Sequence, residues 1–240
     1  MEMAIIMIRL DKFLADMGAG TRAEVKKYIR QGMVEVDGVI VKSPETKVDI
    51  DTQKVLCHGK SVVYEHFVYY MLNKPAGVVS ATTDKQDRTV IELIEDKKRK
   101  DLFPVGRLDK DTEGLLLITN DGELAHRLLS PKKHVDKVYY AKIQGKVTEE
   151  DVSTFANGVS LGCGEEAKPA KLEILVSDEI SEIKLTIQEG KFHQVKRMFE
   201  AVHKKVIYLK RLSMGTLQLD EHLKLGEYRL LTKEEIEKLC

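Results

Sequence analysis

The chain has 240 residues, 42% hydrophobic and 32% charged, and its 39 basic residues balance 39 acidic ones. This composition predicts a globular protein with a buried core and excludes a chain that is disordered throughout. The longest apolar runs, residues 3–8 and 115–118, are far shorter than the roughly 18 residues that cross a membrane. The N-terminus has an acid where a secretory signal has bases, so we expect a cytoplasmic protein.

Three cysteines give no sign of a disulfide framework or a zinc site. Cys57, Cys163 and Cys240 are odd in number, lie far apart and form no C-x-x-C pair. We interpret them as reduced thiols, and we expect neither a metal nor a cofactor.

Two short helices and a hairpin are predicted in the first fifty residues. Apolar side chains recur at helical spacing over residues 10–17, and a capping box of Thr21 and Glu24 opens a second helix. Alternating residues on either side of Asp37-Gly38 predict two strands joined by a tight turn. The pattern is typical of a compact unit.

One face of the second helix is cationic. Arg22, Lys26 and Arg30 stand four residues apart, with Lys27 beside them. A basic helix followed by a glycine and a tight hairpin resembles an S4 RNA-binding domain, which we assign to residues 7–54. The resemblance implies that these four side chains contact RNA phosphates, and the alternative is ordinary solvated surface. The matching runs are 9–14, 20–22, 25–27, 29–32 and 34–38.

The mixed polar residues 55–66 predict a linker, and a second domain follows over residues 67–240. Its strands and helices do not repeat with a β-α-β period, which favours an α+β sheet domain over a doubly wound one. The predicted strands are 67–72, 115–119, 138–143, 172–176 and 183–187. Helices are predicted over 122–129 and 193–202, with further helix starts after Thr89, Thr148 and Thr232.

Charge is segregated along this second domain. Residues 184–211 contain eight bases and two acids, whereas residues 148–183 contain nine acids and two bases. In a protein without net charge, this segregation suggests a basic face turned toward an anion, and a solvated face is the alternative.

The most informative window is residues 106–122. Asp109, Asp111 and Glu113 alternate before a glycine, as at the start of a calcium loop, but Asn120 stands at position twelve, where such a loop needs a glutamate. The chain also lacks the G-x-x-x-x-G-K-[ST], G-x-G-x-x-G, H-E-x-x-H and G-x-S-x-G motifs. The motifs for calcium, nucleotide cofactors, metalloproteases and serine hydrolases are therefore absent.

The glycine-flanked loop of Asp109 resembles the catalytic signature of RNA pseudouridine synthases, and most closely the branch that modifies a uridine of bacterial 16S ribosomal RNA. The resembling runs are 73–77, 106–114, 120–125, 137–139 and 189–199, so with the S4 segment they span nearly the whole chain. The resemblance implies a mixed, mainly antiparallel sheet with flanking helices, and an enzyme without a cofactor. Its partner would be 16S rRNA or the assembling small subunit. We expect a monomer.

The resemblance also assigns three catalytic residues. Asp109 would be the essential carboxylate, adding at the ribose C1′ or acting through a glycal route, and the sequence leaves both open. Lys196 would supply the neighbouring positive charge, with Arg197 as the alternative if the register is shifted by one. Tyr139 would stack on the target base and relay a proton, although a strand tyrosine could equally be part of the core.

Further RNA contacts are expected at Arg107, His193, Gln194 and Arg197. Arg107 would fill the space of the extruded base or hold a phosphate, and the alternative is a structural ion pair. Lys74 and Pro75 are expected to shape the turn under the site. Two rival hypotheses remain: the same chemistry on 23S rRNA, and an rRNA-binding assembly factor with a catalytically silent sheet domain.

Overall fold

The structure, a computed structural model, describes residues 6–95, 99, 101–130, 133–162 and 164–239. These residues divide into two compact units, one containing residues 6–67 with Glu95, Arg99 and Asp101, the other containing the rest. None of the described helices is long and apolar enough to cross a membrane. Cys57 is a buried free thiol, whereas the other two cysteines lie outside the described residues.

The N-terminal unit packs two helices against short strands. Its helix α2 begins at the expected capping box, where the Thr21 hydroxyl accepts from the Glu24 amide and the Glu24 carboxylate accepts from the Thr21 amide. Strand β1 pairs with β4, and a second sheet has the order β3-β2-β5-β6. The elements are β1 (Met7–Arg9), α1 (Leu10–Asp16), α2 (Arg22–Arg30), β2 (Val34–Val36), β3 (Val39–Ile40), β4 (Lys47–Asp49), β5 (Val55–Cys57) and β6 (Lys60–Val62).

The expectation of a linker over residues 55–66 is wrong for its first half. Strand β5 pairs antiparallel with β2, and β6 pairs with β5, so both belong to the N-terminal sheet. Val55 and Cys57 are buried in the core of this unit. Strand β5 has only two inward-facing side chains. The polar residues around it therefore dominate the local sequence pattern, and the pattern does not indicate a strand. The Arg99 guanidinium then donates to the carbonyls of Glu65 and His66, which holds the end of this segment.

The second unit is built on one large sheet whose central path is β13-β14-β10-β15-β9-β7-β17. Among the described strands, β9 and β15 run parallel and the other neighbours on this path run antiparallel, which confirms a mixed, mainly antiparallel sheet. The strands are β7 (Tyr69–Lys74), β8 (Phe103–Pro104), β9 (Glu113–Thr119), β10 (Lys137–Gln144), β11 (Val159–Gly162), β12 (Glu165–Ala167), β13 (Lys171–Val176), β14 (Ile180–Ile187), β15 (Lys205–Met214), β16 (Leu217–Gln218) and β17 (Tyr228–Leu230). The helices are α3 (Gly122–Leu129), α4 (Glu149–Asn157), α5 (Gln194–Ala201) and α6 (Lys233–Leu239).

Both faces of the sheet are covered at strand β9, whereas only one face is covered at strand β10. In β9, Leu116 and Ile118 enter one core with α4 and α5, while Leu115 and Leu117 enter another with α3 and α6. Because both faces are buried there, the strand is a continuous apolar run. Strand β10 instead alternates buried with partly exposed residues, as expected where a single face is packed.

One predicted helix is shorter than expected. The Thr89 and Glu92 side chains form the capping hydrogen bonds, but only a single 3-10 turn, Ile91–Leu93, follows them. A capping box satisfies the first amides of a helix and does not by itself sustain further turns.

Candidate active site

Asp109 lies in a loop between β8 and β9 whose backbone is held tightly. The preceding residue, Leu108, is buried in the core, and its backbone binds Ser80 twice. The Ser80 hydroxyl donates to the Leu108 carbonyl at 2.9 Å and accepts from the Leu108 amide at 3.0 Å. The Thr112 amide donates to the Asp109 carbonyl at 3.0 Å, which closes a turn around the carboxylate. The direction of the Asp109 side chain is therefore set by its backbone.

A buried ammonium group lies beneath this turn. The Lys74 side chain is fully buried, and its Nζ atom lies 2.8 to 3.3 Å from four carbonyl oxygens. Burial lowers the pKa of Lys74 to about 8, since the charged form loses its water. The sequence predicted that Lys74 shapes the turn, but it did not indicate that the Lys74 ammonium group binds the carbonyl oxygens of the loop. The four oxygens belong to Pro75, Asp109, Lys110 and Thr112.

Asp109 lines a cleft that is open to solvent. Residues from three distant parts of the sequence meet there, since the loop, strand β10 and the start of α5 all contribute to the lining. The predicted site residues in the lining are Arg107, Asp109, Tyr139, His193 and Gln194.

The Asp109 carboxylate shares its positive neighbour with a second carboxylate. Lys196 Nζ lies 3.2 Å from Asp109 Oδ2 and 2.7 and 3.0 Å from the two oxygens of Asp111. Although burial lowers it, these hydrogen bonds raise the pKa of Lys196 above its ordinary value. Burial likewise opposes the effect of Lys196 on Asp111, whose pKa is nevertheless lowered. Sequence reasoning considered Asp111 only as a calcium ligand and missed this contact.

Tyr139 belongs to the core and to the cleft at once. Its side chain is buried on β10, between Leu185 of β14 and Arg211 of β15. The residue is part of the large core cluster and also lines the cleft. The two interpretations of this strand tyrosine are thus compatible.

Arg107 is exposed at the edge of the cleft. Within the described part of the chain it forms no ion pair, so the alternative of a structural ion pair finds no support. Its guanidinium is available to an anion.

Two of the expected RNA contacts, Gln194 and Arg197, bind protein groups. Gln194 is buried, its amide nitrogen donates to Glu189 at 2.8 Å, and its oxygen accepts from the Lys191 amide at 2.9 Å. Arg197 pairs with Glu165 at 2.6 Å and donates to the Leu161 carbonyl at 2.9 Å. Both side chains therefore hold the protein around α5, because buried polar groups need such partners.

The charge segregation in the sequence is partly neutralised by folding. Lys204 pairs with Asp151 at 2.7 Å, as Arg197 does with Glu165, so bases of 184–211 meet acids of 148–183. Arg211 is buried and donates to the Leu115 carbonyl at 2.8 Å. The expectation that this basic stretch as a whole faces an anion is therefore wrong, since separation along the chain does not determine separation in space.

The basic face of α2 remains open in the N-terminal unit. Arg22, Lys27 and Arg30 are exposed and have no ion pair with any residue that the structure describes. Lys26 differs, because its Nζ atom lies 3.8 Å from the buried carboxylate of Asp11. Three of the four predicted phosphate contacts are therefore free cations of one helix.

The two units match two known families. Residues 8–53 match the S4 domain, and residues 68–201 match the family described as RNA pseudouridylate synthase. The chain belongs to the RNA pseudouridylate synthase family, an enzyme class that isomerises uridine within RNA.

Similar proteins extend over almost the full chain. An uncharacterized RNA pseudouridine synthase of Bacillus subtilis is 52% identical, covering 97% of this chain and 98% of that protein. A ribosomal small subunit pseudouridine synthase A of Haemophilus influenzae is 42% identical over 97% and 99% of the two chains. A crystal structure of a pseudouridylate synthase, 42% identical, superposes with a TM-score of 0.68 and covers 97% of this chain and 100% of that one.

Proposed function

We propose that this enzyme converts a uridine of small-subunit (16S) ribosomal RNA to pseudouridine, with Asp109 as its catalytic carboxylate. The observation that carries the proposal is the Asp109 carboxylate in the cleft, 3.2 Å from Lys196 and with Tyr139 in the same lining. The small-subunit substrate is supported by the relative from Haemophilus influenzae, whose name states it and whose sequence is 42% identical.

The reaction is an isomerisation, so it needs no second substrate. The bond between N1 of uracil and C1′ of ribose breaks, and C5 bonds to the same C1′. The proton lost from C5 is balanced by the proton gained at N1. A carboxylate can add at C1′ or remove a proton from C2′ on the glycal route, and both routes require Asp109 to be ionised and close to the ribose.

Each neighbour of Asp109 has a defined task in this scheme. Lys196 favours the ionised carboxylate against the desolvation that a bound nucleotide would cause. Tyr139, buried at the base of the cleft, stacks on the uracil ring and relays the proton from C5. Arg107, exposed at the rim, holds a phosphate or the space of the extruded base.

The target base must leave its stack before its ribose can reach Asp109, which costs a few kcal/mol. Binding of the flanking RNA has to offset that cost. The free cations of α2 are suited to this task, because phosphate contacts position RNA without reading its sequence.

The decisive variant is Asp109→Asn, which removes the charge and keeps the size of the side chain. We expect product formation to fall below a hundredth of the wild-type rate, with folding and RNA affinity unchanged. Asp87→Asn is the matched control, since Asp87 lies in an exposed ion pair with Lys110 and does not line the cleft. Conversion by Asp109→Asn at the rate of Asp87→Asn would exclude Asp109 from catalysis, whereas a wild-type protein that forms no product would favour an assembly factor.

The substrate is tested by mapping pseudouridines in rRNA from a strain that lacks the gene. We expect one position to be lost from 16S rRNA and restored by the wild-type gene but not by the Asp109→Asn gene. A position lost from 23S rRNA would contradict the proposed substrate and leave the chemistry intact.

A further inference from the structure

An exposed aromatic ring lies beside the cleft and has no role in the scheme above. Phe192 is 67% exposed, although a phenylalanine buried in the protein would gain about 2 kcal/mol from leaving water. Its ring stacks on His193 with centroids 3.8 Å apart and planes inclined by 17°. Since His193 covers one face of the ring, the opposite face is open.

This stacked pair lies beside the carboxylate of Asp109. His193 lines the cleft, and its Nε2 atom lies 3.7 Å from Asp109 Oδ1. Phe192 itself is not part of the lining, so its ring lies just outside the space available to the target nucleotide. A flat group on the open face of Phe192 would therefore be a neighbour of the target.

The backbone holds the pair in place. His193 has the left-handed conformation, with φ 47° and ψ 34°, at the start of α5. A residue other than glycine rarely adopts this conformation, and it persists where the surrounding structure enforces it. The Arg197 guanidinium donates to the Phe192 carbonyl at 3.3 Å while it pairs with Glu165. The backbone that carries the exposed ring is thus held, and the ring itself rests on His193.

We propose that the open face of Phe192 stacks on the base of a nucleotide next to the target uridine. The inference rests on the proposed function, because it takes Asp109 as the position of the target ribose. An exposed aromatic ring next to a cleft that an exposed arginine also lines, here Arg107, is the usual composition of a single-stranded RNA site. Stacking there replaces part of the stacking that the RNA loses when the target base is extruded.

The test uses a synthetic RNA stem-loop that contains the mapped uridine and carries 2-aminopurine at the preceding or the following position. Stacking on Phe192 quenches the fluorescence of 2-aminopurine at one of these positions. Phe192→Ala should abolish that quench and weaken RNA binding about tenfold, since one aromatic stack contributes about 1–3 kcal/mol and 1.4 kcal/mol is tenfold. Phe192→Tyr and Phe192→Trp should restore both, and kcat should change much less than KM.

Phe67→Ala is the matched control, because Phe67 is also an exposed phenylalanine beside a histidine, but that histidine, His66, does not line the cleft. Wild-type quench and affinity in Phe192→Ala would overturn the inference. Weaker binding with the wild-type quench retained would overturn it as well, since Phe192 would then act without stacking. A wild-type enzyme that forms no pseudouridine would instead overturn the proposed function.

Discussion

The Asp109 carboxylate shares its lysine with a second carboxylate. Lys196 lies closer to the exposed Asp111 than to Asp109, at 2.7 Å against 3.2 Å. The Asp111 side chain is 72% exposed, whereas that of Asp109 is 27% exposed. The second carboxylate therefore competes with Asp109 for the lysine and places a like charge nearby.

Replacing Asp111 should lower the pKa of Lys196 toward its ordinary value. Burial opposes the charged form of this lysine, and the hydrogen bond to Asp111 is among the contacts that raise its pKa all the same. In Asp111→Asn, Lys196 would pair with Asp109 alone. The pKa is measured by NMR titration of the Lys196 side chain, with Asp87→Asn as the control, since that variant removes the same charge from the ion pair with Lys110. An equal Lys196 pKa in the two variants would show that Asp111 does not hold the ammonium group.

The sequence predicted which residue types surround Asp109 better than it predicted what each one binds. Lys196 and Tyr139 lie at the cleft because the motifs that contain them are formed by rigid elements, α5 and β10. Gln194 and Arg197 belong to the same motif, yet they face Glu189 and Glu165. Successive residues of a helix point in different directions, so a linear motif cannot state which of its members faces the ligand. Asp111 was missed because its partner lies 85 positions away in the chain.

At the scale of elements, the loop between β8 and β9 depends on a side chain from β7. Lys74 is the last residue of β7, and its ammonium binds the carbonyls of Asp109, Lys110 and Thr112. The ammonium group stabilises the turn, because these carbonyl oxygens lie close to one another and would repel one another without it. The loop that carries Asp109 is thereby anchored to strand β7 of the sheet.

Lys74→Met keeps the length of the side chain and removes the donor. Because buried carbonyls without partners cost about 1–3 kcal/mol, we expect the free energy of unfolding to fall by about 2 kcal/mol. Hydrogen–deuterium exchange of residues 109–112 should become faster, and the melting temperature should fall. Lys110→Met is the control, since the Lys110 side chain is 52% exposed and its surface ion pair contributes little. Equal exchange in the two variants would contradict the role of Lys74.

The elements that the sequence predicted well are those whose pattern is long and regular. Strand β9 was visible as an apolar run because both of its faces are buried, and α3 was visible from its apolar positions and cap. Strands β5 and β6 were hidden, since each has three residues and the core takes few of them. Hydrogen bonds to β2, a distant segment, join β5 to the sheet, and β6 is joined to the sheet through β5. A local pattern does not contain the pairing with β2.

At the scale of the whole molecule, a chain without net charge has to attract a polyanion through local fields. The bases of residues 184–211 lose part of that capacity to Asp151 and Glu165. The free cations of α2 keep theirs, so the S4 unit should supply more of the phosphate binding than the composition of the catalytic unit suggests.

The triple variant Arg22→Gln, Lys27→Gln, Arg30→Gln tests this division of roles. Each phosphate contact adds about 0.7 to the slope of log affinity against log salt for single-stranded RNA, so the slope should fall by about 2. Affinity for the stem-loop should fall while kcat at saturating RNA is retained, since the cleft is untouched. The control triple Lys42→Gln, Lys47→Gln, Lys60→Gln removes the same charge from exposed positions off α2. Titrations between 50 and 200 mM salt compare the two, and equal slopes would assign the phosphate contacts elsewhere.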